Sequence, residues 1–427
     1  MLYTPICDVY LHTENDGTIL LENVRSISAN KTLSQAAGSF TVRQFDDVLI
    51  GIAKSMDVVE IRMGYNDGKP LNTVFLGFVD EVRHTERATN DIPLVETTFR
   101  GRDLAKFFIN AVIKRFPRLA DDVLAPLTGD STLMGWIKLF RDNDIEMGTP
   151  DQFIKGLVDH LLFKIMDVSL QVNDNRLHLK DLLHYQLRSM DIMIPFVTSK
   201  YDFEGSMWNW MQSSINSPFH ELFVDVRPAD EMMMRNPRFQ RSSSTFGEDT
   251  SRMGLFLRPT PFDRADWDRL PRYEAVPQEI HTFDLGNSDH EHYNVFRVVP
   301  EVDLFGERAV DAKIAPMINV DIARRYGLSM YESQFHGLPL AETDDLISLG
   351  KQLTLTAKRW FENAHLFEEG SYTLKGTGQP KIGQRLLDVK RGMEYYIEGV
   401  TQQYNVTNRD VTWKTDLSVT RGQKPRA

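Results

Sequence analysis

The chain has 427 residues, 41% hydrophobic, 10% aromatic and 26% charged, which is enough apolar material for about two to four domains and excludes a disordered or collagen-like chain. A single cysteine, Cys7, excludes an internal disulfide framework and a cysteine-built zinc site, and points to folding in a reducing cytoplasm. With 49 Lys+Arg against 60 Asp+Glu, a net charge of −11, the chain is not one that grips nucleic acid, because that affinity comes from cations displacing phosphate counterions; DNA that passes without being held is compatible with it.

The start, Met1-Leu2-Tyr3-Thr4-Pro5-Ile6, has no basic run leading into an apolar core, so no signal peptide is expected. No window approaches the ~18 uninterrupted apolar residues of a membrane span. The first hundred residues read as antiparallel β. Strands are expected over 6–12, 40–45, 57–65, 74–83 and 94–100, with turn chemistry at Asp16-Gly17 and at Asn66-Asp67-Gly68. Gly77, inside Phe75-Leu76-Gly77-Phe78-Val79, marks a bulge or sharp bend. A helix then starts near Asp103, whose carboxylate suits the positive end of a helix. Thr149-Pro150-Asp151-Gln152 is a capping box with proline at the first helical position, followed by an apolar stripe of Phe153, Ile154, Leu157, Val158, Leu161, Leu162 and Ile165.

The pattern repeats in outline. Strands are expected over 219–227 and 255–258, separated by a polar, Ser-rich loop over 229–252, and again between 279 and 300. A second helical stretch covers 318–365, and the chain closes with strands over 371–375, 382–389, 394–403 and 411–420. The resulting fold class is α+β: two antiparallel β-barrels, each interrupted by a mostly helical insertion. The boundaries are 1–104 plus 215–262 for the first barrel, 105–214 for its insertion, 263–317 plus 366–427 for the second barrel, and 318–365 for its insertion.

Chemistry-bearing clusters are few. Asp289-His290-Glu291-His292 is the densest, since histidines two apart on a strand share a face. It follows Gly286-Asn287-Ser288 and reads as a solvated loop, with His281 too remote to complete a ligand set. Gly205-Ser206-Met207 lacks the second glycine of a nucleophile elbow and reads as a serine N-cap. Gly376-Thr377-Gly378-Gln379-Pro380 leads into a strand-like run and reads as a β-turn, not a phosphate cradle. Trp208 and Trp210 read as core, Cys7 as an inert buried thiol, and Asp344-Asp345 and Glu368-Glu369 as solvated charges. No catalytic, cofactor-binding or metal-ligating residue is assigned, and no cofactor is expected.

Several strings taken in order carry a family resemblance. Ser39-Phe40-Thr41-Val42-Arg43, Asp57-Val58-Val59-Glu60-Ile61, Phe75-Leu76-Gly77-Phe78-Val79-Asp80 and Thr97-Thr98-Phe99-Arg100-Gly101-Arg102-Asp103-Leu104 come first. Glu221-Leu222-Phe223-Val224-Asp225-Val226-Arg227, Arg258-Pro259-Thr260-Pro261-Phe262-Asp263 and Tyr326-Gly327 follow. Gly378-Gln379-Pro380 with Ile382-Gly383, Tyr395-Tyr396-Ile397-Glu398-Gly399-Val400 and Thr415-Asp416-Leu417-Ser418-Val419-Thr420-Arg421-Gly422 close the series. Together they resemble the baseplate hub proteins of phage tails, the hub of contractile-tail phages and the hub part of type VI secretion spikes.

The resemblance implies tail-tube-like barrels and a structural, non-enzymatic homotrimer. Six barrels in a ring would adapt the sixfold tail tube, or its initiator, above to the threefold central spike or needle below. It implies wedge proteins around the ring, DNA passing through the channel during ejection, and a place in the virion tail baseplate after assembly in the host cytoplasm. The 229–252 loop would be a docking segment, and piercing or wall-degrading functions would belong to other chains. The alternatives are a tail-associated peptidoglycan hydrolase, or a glycan- or receptor-binding tail component using Trp208 and Trp210.

Overall fold

A computed structural model describes residues 3–45, 52–89, 92–113, 149–162, 169–172, 175–178, 183–189, 205–215, 218–227, 252–287, 292–301, 313–336, 343–362, 364–407 and 410–425. The loop expected over 229–252 lies outside the described residues except for Arg252, as do Asp289, His290 and Glu291.

The N-terminal residues form β1 (Pro5–His12), β2 (Thr18–Leu20), β3 (Val24–Thr32), β4 (Ser39–Gln44), β5 (Val58–Tyr65), β6 (Asn72–Thr89) and β7 (Ile92–Arg102). They are antiparallel in the order β3-β4-β7-β6-β5-β1-β2. Alternation sets their faces: Val9 and Leu11 of β1, Val59, Ile61 and Met63 of β5, Val42 and Phe99 turn into one core. The β1–β2 turn closes at Gly17, whose φ of +75° needs glycine. The bend expected at Gly77 is a close backbone approach. A Cβ there would stand 2.6 Å from the Arg102 carbonyl oxygen, and one at Gly101 would stand 2.1 Å from that of Phe78. Beside this contact the β6–β7 register slips between Val79 and Glu81.

The stretch expected to be a mostly helical insertion, 105–214, is mixed in its described part. It holds α1 (Ala105–Asn110), β8 (Val112–Ile113), α2 (Pro150–Gly156) running into a π-helical turn (Leu157–Leu162), β9 (Ser169–Val172), β10 (Asn175–His178), β11 (Leu183–Leu187), β12 (Gly205–Ser206) and α3 (Met207–Ser214). The capping box is formed, with Gln152 Oε1 accepting from the Thr149 amide at 3.1 Å. Next come β13 (His220–Arg227) and β14 (Arg252–Pro259), which pair antiparallel. Both were expected in the first barrel. They instead form a separate sheet, β11-β14-β13, with β11 parallel to β14. The reason is burial on two sides: Leu222, Val224 and Val226 pack on α1–α3, while Phe223 faces a different core shared with C-terminal strands.

The remainder holds α4 (Arg264–Asp268), β15 (Arg272–Ala275), β16 (Ile280–Gly286), β17 (Val295–Glu301), β18 (Met317–Ile318), α5 (Val320–Tyr326), β19 (Met330–His336), α6 (Thr343–Phe361), β20 (Glu368–Lys375), β21 (Arg385–Asp388), β22 (Met393–Val406) and β23 (Val411–Gln423). β17, expected in the second barrel, pairs with β18 and β19 in a sheet covered by α6, and β19 interrupts the helical stretch expected over 318–365. The two small sheets share one arrangement. A central strand, β14 or β17, has one parallel neighbour (β11 or β19) and one antiparallel neighbour (β13 or β18).

β15, β16 and β20–β23 join the N-terminal strands in one 13-stranded sheet, because β22 pairs antiparallel with β3. No hydrogen-bonded closure into a barrel occurs among the described residues. The fold is therefore α+β, mostly antiparallel sheet with few helices. Tyr404 and Trp413, from the tip of the β22–β23 hairpin, complete the N-terminal core.

The β6–β7 contact makes a clear prediction. Gly101→Val drives a branched side chain into the Phe78 carbonyl and the Phe40 ring, and is expected to cost about 1–3 kcal/mol or more. Thermal or denaturant unfolding measures this; an unchanged midpoint would contradict the packing described.

Candidate functional site: the joint between the N- and C-terminal strands

The polar groups that sequence order keeps far apart meet where the β11-β14-β13 sheet is pressed between the two ends of the chain. Glu221, Asp225 and Arg227 alternate on one face of β13, and Arg258 lies on β14 beside them. Inside otherwise apolar strands, such charges need partners, since an unpaired buried charge is costly.

Arg258 donates through Nε and Nη2 to Glu221 Oε2, both at 3.2 Å, and through Nη2 to the Gly383 carbonyl at 2.8 Å and Tyr396 Oη at 2.7 Å. Tyr396 Oη donates to Glu221 Oε2 at 2.5 Å. Arg421 adds its guanidinium 3.9 Å from Glu221 Oε1 and lies over the rings of Phe262 and Tyr396. Burial pushes the Tyr396 phenol well above its ordinary range, and neighbouring Glu221 adds to that. Burial alone would lower the Arg258 guanidinium, yet Tyr396 and Glu221 hold it above its usual value. These contacts make the cluster a clamp that ties β13 and β14 to the C-terminal strands.

A second group fastens the N-terminal strands. Lys31 of β3 lies 2.9 Å from Asp103 Oδ2 and 3.8 Å from Asp225 Oδ1. Asp103 also accepts from the amides of Gly38 and Ala105, both at 3.0 Å, the helix-start role expected of it. Arg227 pairs with Asp225 at 3.0 Å and donates to the Ile382 carbonyl at 2.6 Å. Lys381 Nζ reaches the Thr73 carbonyl at 3.0 Å. Beside the clamp lies a cavity of about 840 Å³ whose lining includes Tyr185, Arg188, Phe223, Phe256, Arg258 and Arg269. Arg188 and Arg269 both pair with Asp266.

The residues weighed from sequence fall elsewhere. Ser206 caps α3, its Oγ accepting from the Asn209 amide at 3.2 Å. Trp208 is buried and Trp210 half-buried, packed on Phe108 and Phe153. Cys7 is half-buried, and burial pushes its thiol up to about 11, the opposite of an activated nucleophile. His292 is buried against the Tyr326 ring at 4.4 Å, whereas His281 is exposed on β16. Among the described residues no three metal-ligating side chains gather, and no described helix is long and apolar enough to cross a membrane. Gly376 packs against the Trp413 indole, where a Cβ would stand 2.1 Å from the ring, so the Gly376–Pro380 turn is a packing element. Glu368 pairs with Arg391 at 2.9 Å. Sequence reading gave the members of the clamp no chemical role. The available signal was their alternation as charges within apolar strands.

No family model and no curated protein matches this sequence. Solved structures do. A tail protein from Neisseria meningitidis MC58 superposes with a TM-score of 0.51 and 11% identity, covering 98% of this chain and 97% of that one. The 43 kDa tail protein of prophage MuSo2 from Shewanella oneidensis gives 0.51 and 11%, covering 97% and 98%. A chain in a Francisella PdpA-VgrG complex gives 0.48 and 8%, covering 99% and 59%. The first two likenesses establish that this chain shares the fold of these two tail proteins along nearly its whole length.

Arg258→Ala removes the nearest cation from half-buried Glu221, leaving Tyr396 and Arg421 beside it, and is expected to cost about 3 kcal/mol in denaturant unfolding, whereas Arg258→Met with Glu221→Gln costs less; equal losses would contradict the pairing. His220, first residue of β13, is held down to about 4 by burial, with a hydrogen bond to Ile215 and the charge of Asp151 acting the other way. A base whose folded value lies below its unfolded 6.5 loses stability as pH falls from 6.5 towards 4, by about 3 kcal/mol at the limit. The thermal midpoint should drop across that window in the natural chain and drop less in His220→Gln; superimposable profiles would contradict it.

Proposed function

We propose that this chain is the structural hub of a phage-type tail baseplate, acting by shape and not by catalysis. Three copies form a ring in which each supplies two barrel-like units, one built on β1–β7 and one on β15, β16 and β20–β23, each carrying its own small mixed sheet. Six such units around a channel adapt a sixfold tail tube above to a threefold spike below, with wedge proteins outside and DNA passing through. The chain's place is the tail of the virion.

The observation that carries this reading is the doubling of one plan within a continuous sheet: seven strands then six, each group with a small sheet of the same arrangement. The end-to-end likeness to two tail proteins supports it. Closed assemblies of identical chains also bury sheet edges that would otherwise aggregate. Three copies carry 3 × −11 = −33 charges; acidic groups on a channel wall repel phosphate and leave DNA free to slide.

Light-scattering mass of the purified full chain tests the ring. The expected value is three times 49.2 kDa; a stable mass of one or two chains at all concentrations would contradict it.

A further inference from the structure

Residues 313–330 turn apolar side chains outward. Ile318, Val320, Tyr326, Leu328 and Met330 are between 46% and 78% exposed, and α5 buries none of its residues. The segment is nevertheless held in one shape. Buried Asn294 donates from Nδ2 to the Gly327 carbonyl at 2.7 Å and accepts at Oδ1 from the Ser329 amide at 3.1 Å. Its carbonyl accepts from the Asn319 amide at 2.8 Å, and Asn319 in turn caps the Ile322 amide. Gly327, at φ +83°, ends the helix where a side chain would be strained. The knob is therefore preorganised, so a partner meets little ordering cost. Its rim is basic: Lys313, Arg324 and Arg325 against Asp321, all exposed, in a chain whose net charge is −11.

An opposite surface lies at the end of the large sheet. β16 pairs, among the described residues, only with β20. His281, Thr282, Phe283 and Asp284 are exposed in succession, which places solvent on both faces of the strand. Within β16 there is no lysine or proline of the kind that blunts an edge. Phe283 is 54% and nearby Leu366 62% exposed, and Asn287 ties β16 to the Leu366 carbonyl at 3.2 Å. The exposed carboxylates of Asp284 and Glu369 flank this apolar strip, and Arg391, which lies over the Phe283 ring at 5.4 Å, is itself paired with Glu368 at 2.9 Å.

We infer that these two surfaces meet between copies: the 313–330 knob of one chain docks on the β16 edge of the next. The occupant is a second copy because the same chain carries an apolar surface with a basic rim and an apolar surface with an acidic rim, and among the described residues neither is covered within one copy. Two different patches in contact make a head-to-tail interface, which closes into a ring when the rotation permits. Opposite rims fix the register and suppress knob-to-knob pairing. The inference rests on the ring reading and supplies its contact.

Charge reversal in the full chain tests it. Arg324→Glu with Arg325→Glu, and separately Asp284→Lys with Glu369→Lys, are each expected to raise the dissociation constant of the assembly at least ~10-fold, with the thermal midpoint of the monomer unchanged because all four side chains are exposed. Combining both pairs restores most of the lost affinity, which a merely structural defect would not do. A natural chain that forms trimers while both reversals leave its mass unaltered overturns this contact, leaves the ring standing and assigns the knob to a different protein. A natural chain that forms dimers sensitive to both reversals supports the contact and overturns the trimer. A natural chain that stays monomeric at every concentration overturns both.

Discussion

The structure depends on one backbone ladder, the antiparallel pairing of Ser26–Thr32 with Gly399–Asn405. Strand edges carry hydrogen-bonding groups that must be satisfied, and here the edges of two strand groups satisfy each other. Gly399 makes the approach possible, since a Cβ there would stand 2.6 Å from Ser418 Oγ. Thr401 Oγ1 donates to Asn30 Oδ1 at 3.0 Å across a gap of 371 residues. Because this joint is made of backbone, it fixes the relative tilt of the two groups more firmly than side-chain packing alone would.

The buried charges complete that constraint. β13 has apolar residues on one face and alternating charges on the other, so it serves two cores at once. Lys31, Asp103 and Asp225 bind it to the N-terminal strands; Glu221, Arg258, Tyr396 and Arg421 bind it to the C-terminal ones. Buried ion pairs add little net stability over apolar packing. Their effect is on specificity, because any other docking of the small sheet would leave several of these charges unpaired.

Much of the sheet was legible in the sequence. Alternation in β1, β5 and β22, the glycines of the turns, and the caps of α2 and α3 all act locally, and each lies where local rules place it. What was not legible is informative. β3, the strand that carries the joint, reads as a polar segment: Ile27 and Ala29, with half-buried Val24, face the N-terminal core, and Ser26, Ser28 and Asn30 interrupt them. Its partner lies at the far end of the chain, and no local pattern reports such a pairing. β13, β14 and β17 were recognisable as strands but not assignable to a sheet, since a strand buried on both faces loses the alternation that marks its outer side. The clamp was only half legible: the alternation of Glu221 within an apolar strand marks it as unusual, but the partner it needs, Tyr396, lies 175 residues away and is brought to it by tertiary packing.

The central claim is that one chain supplies two like units in a continuous sheet, so that three chains imitate a sixfold tube. End-on electron-microscopy class averages of the purified assembly test this most directly. A ring with a central hole, threefold symmetry and six similar densities around the hole is expected; a ring with three densities only, or an assembly with no central hole, would rule out the paired units.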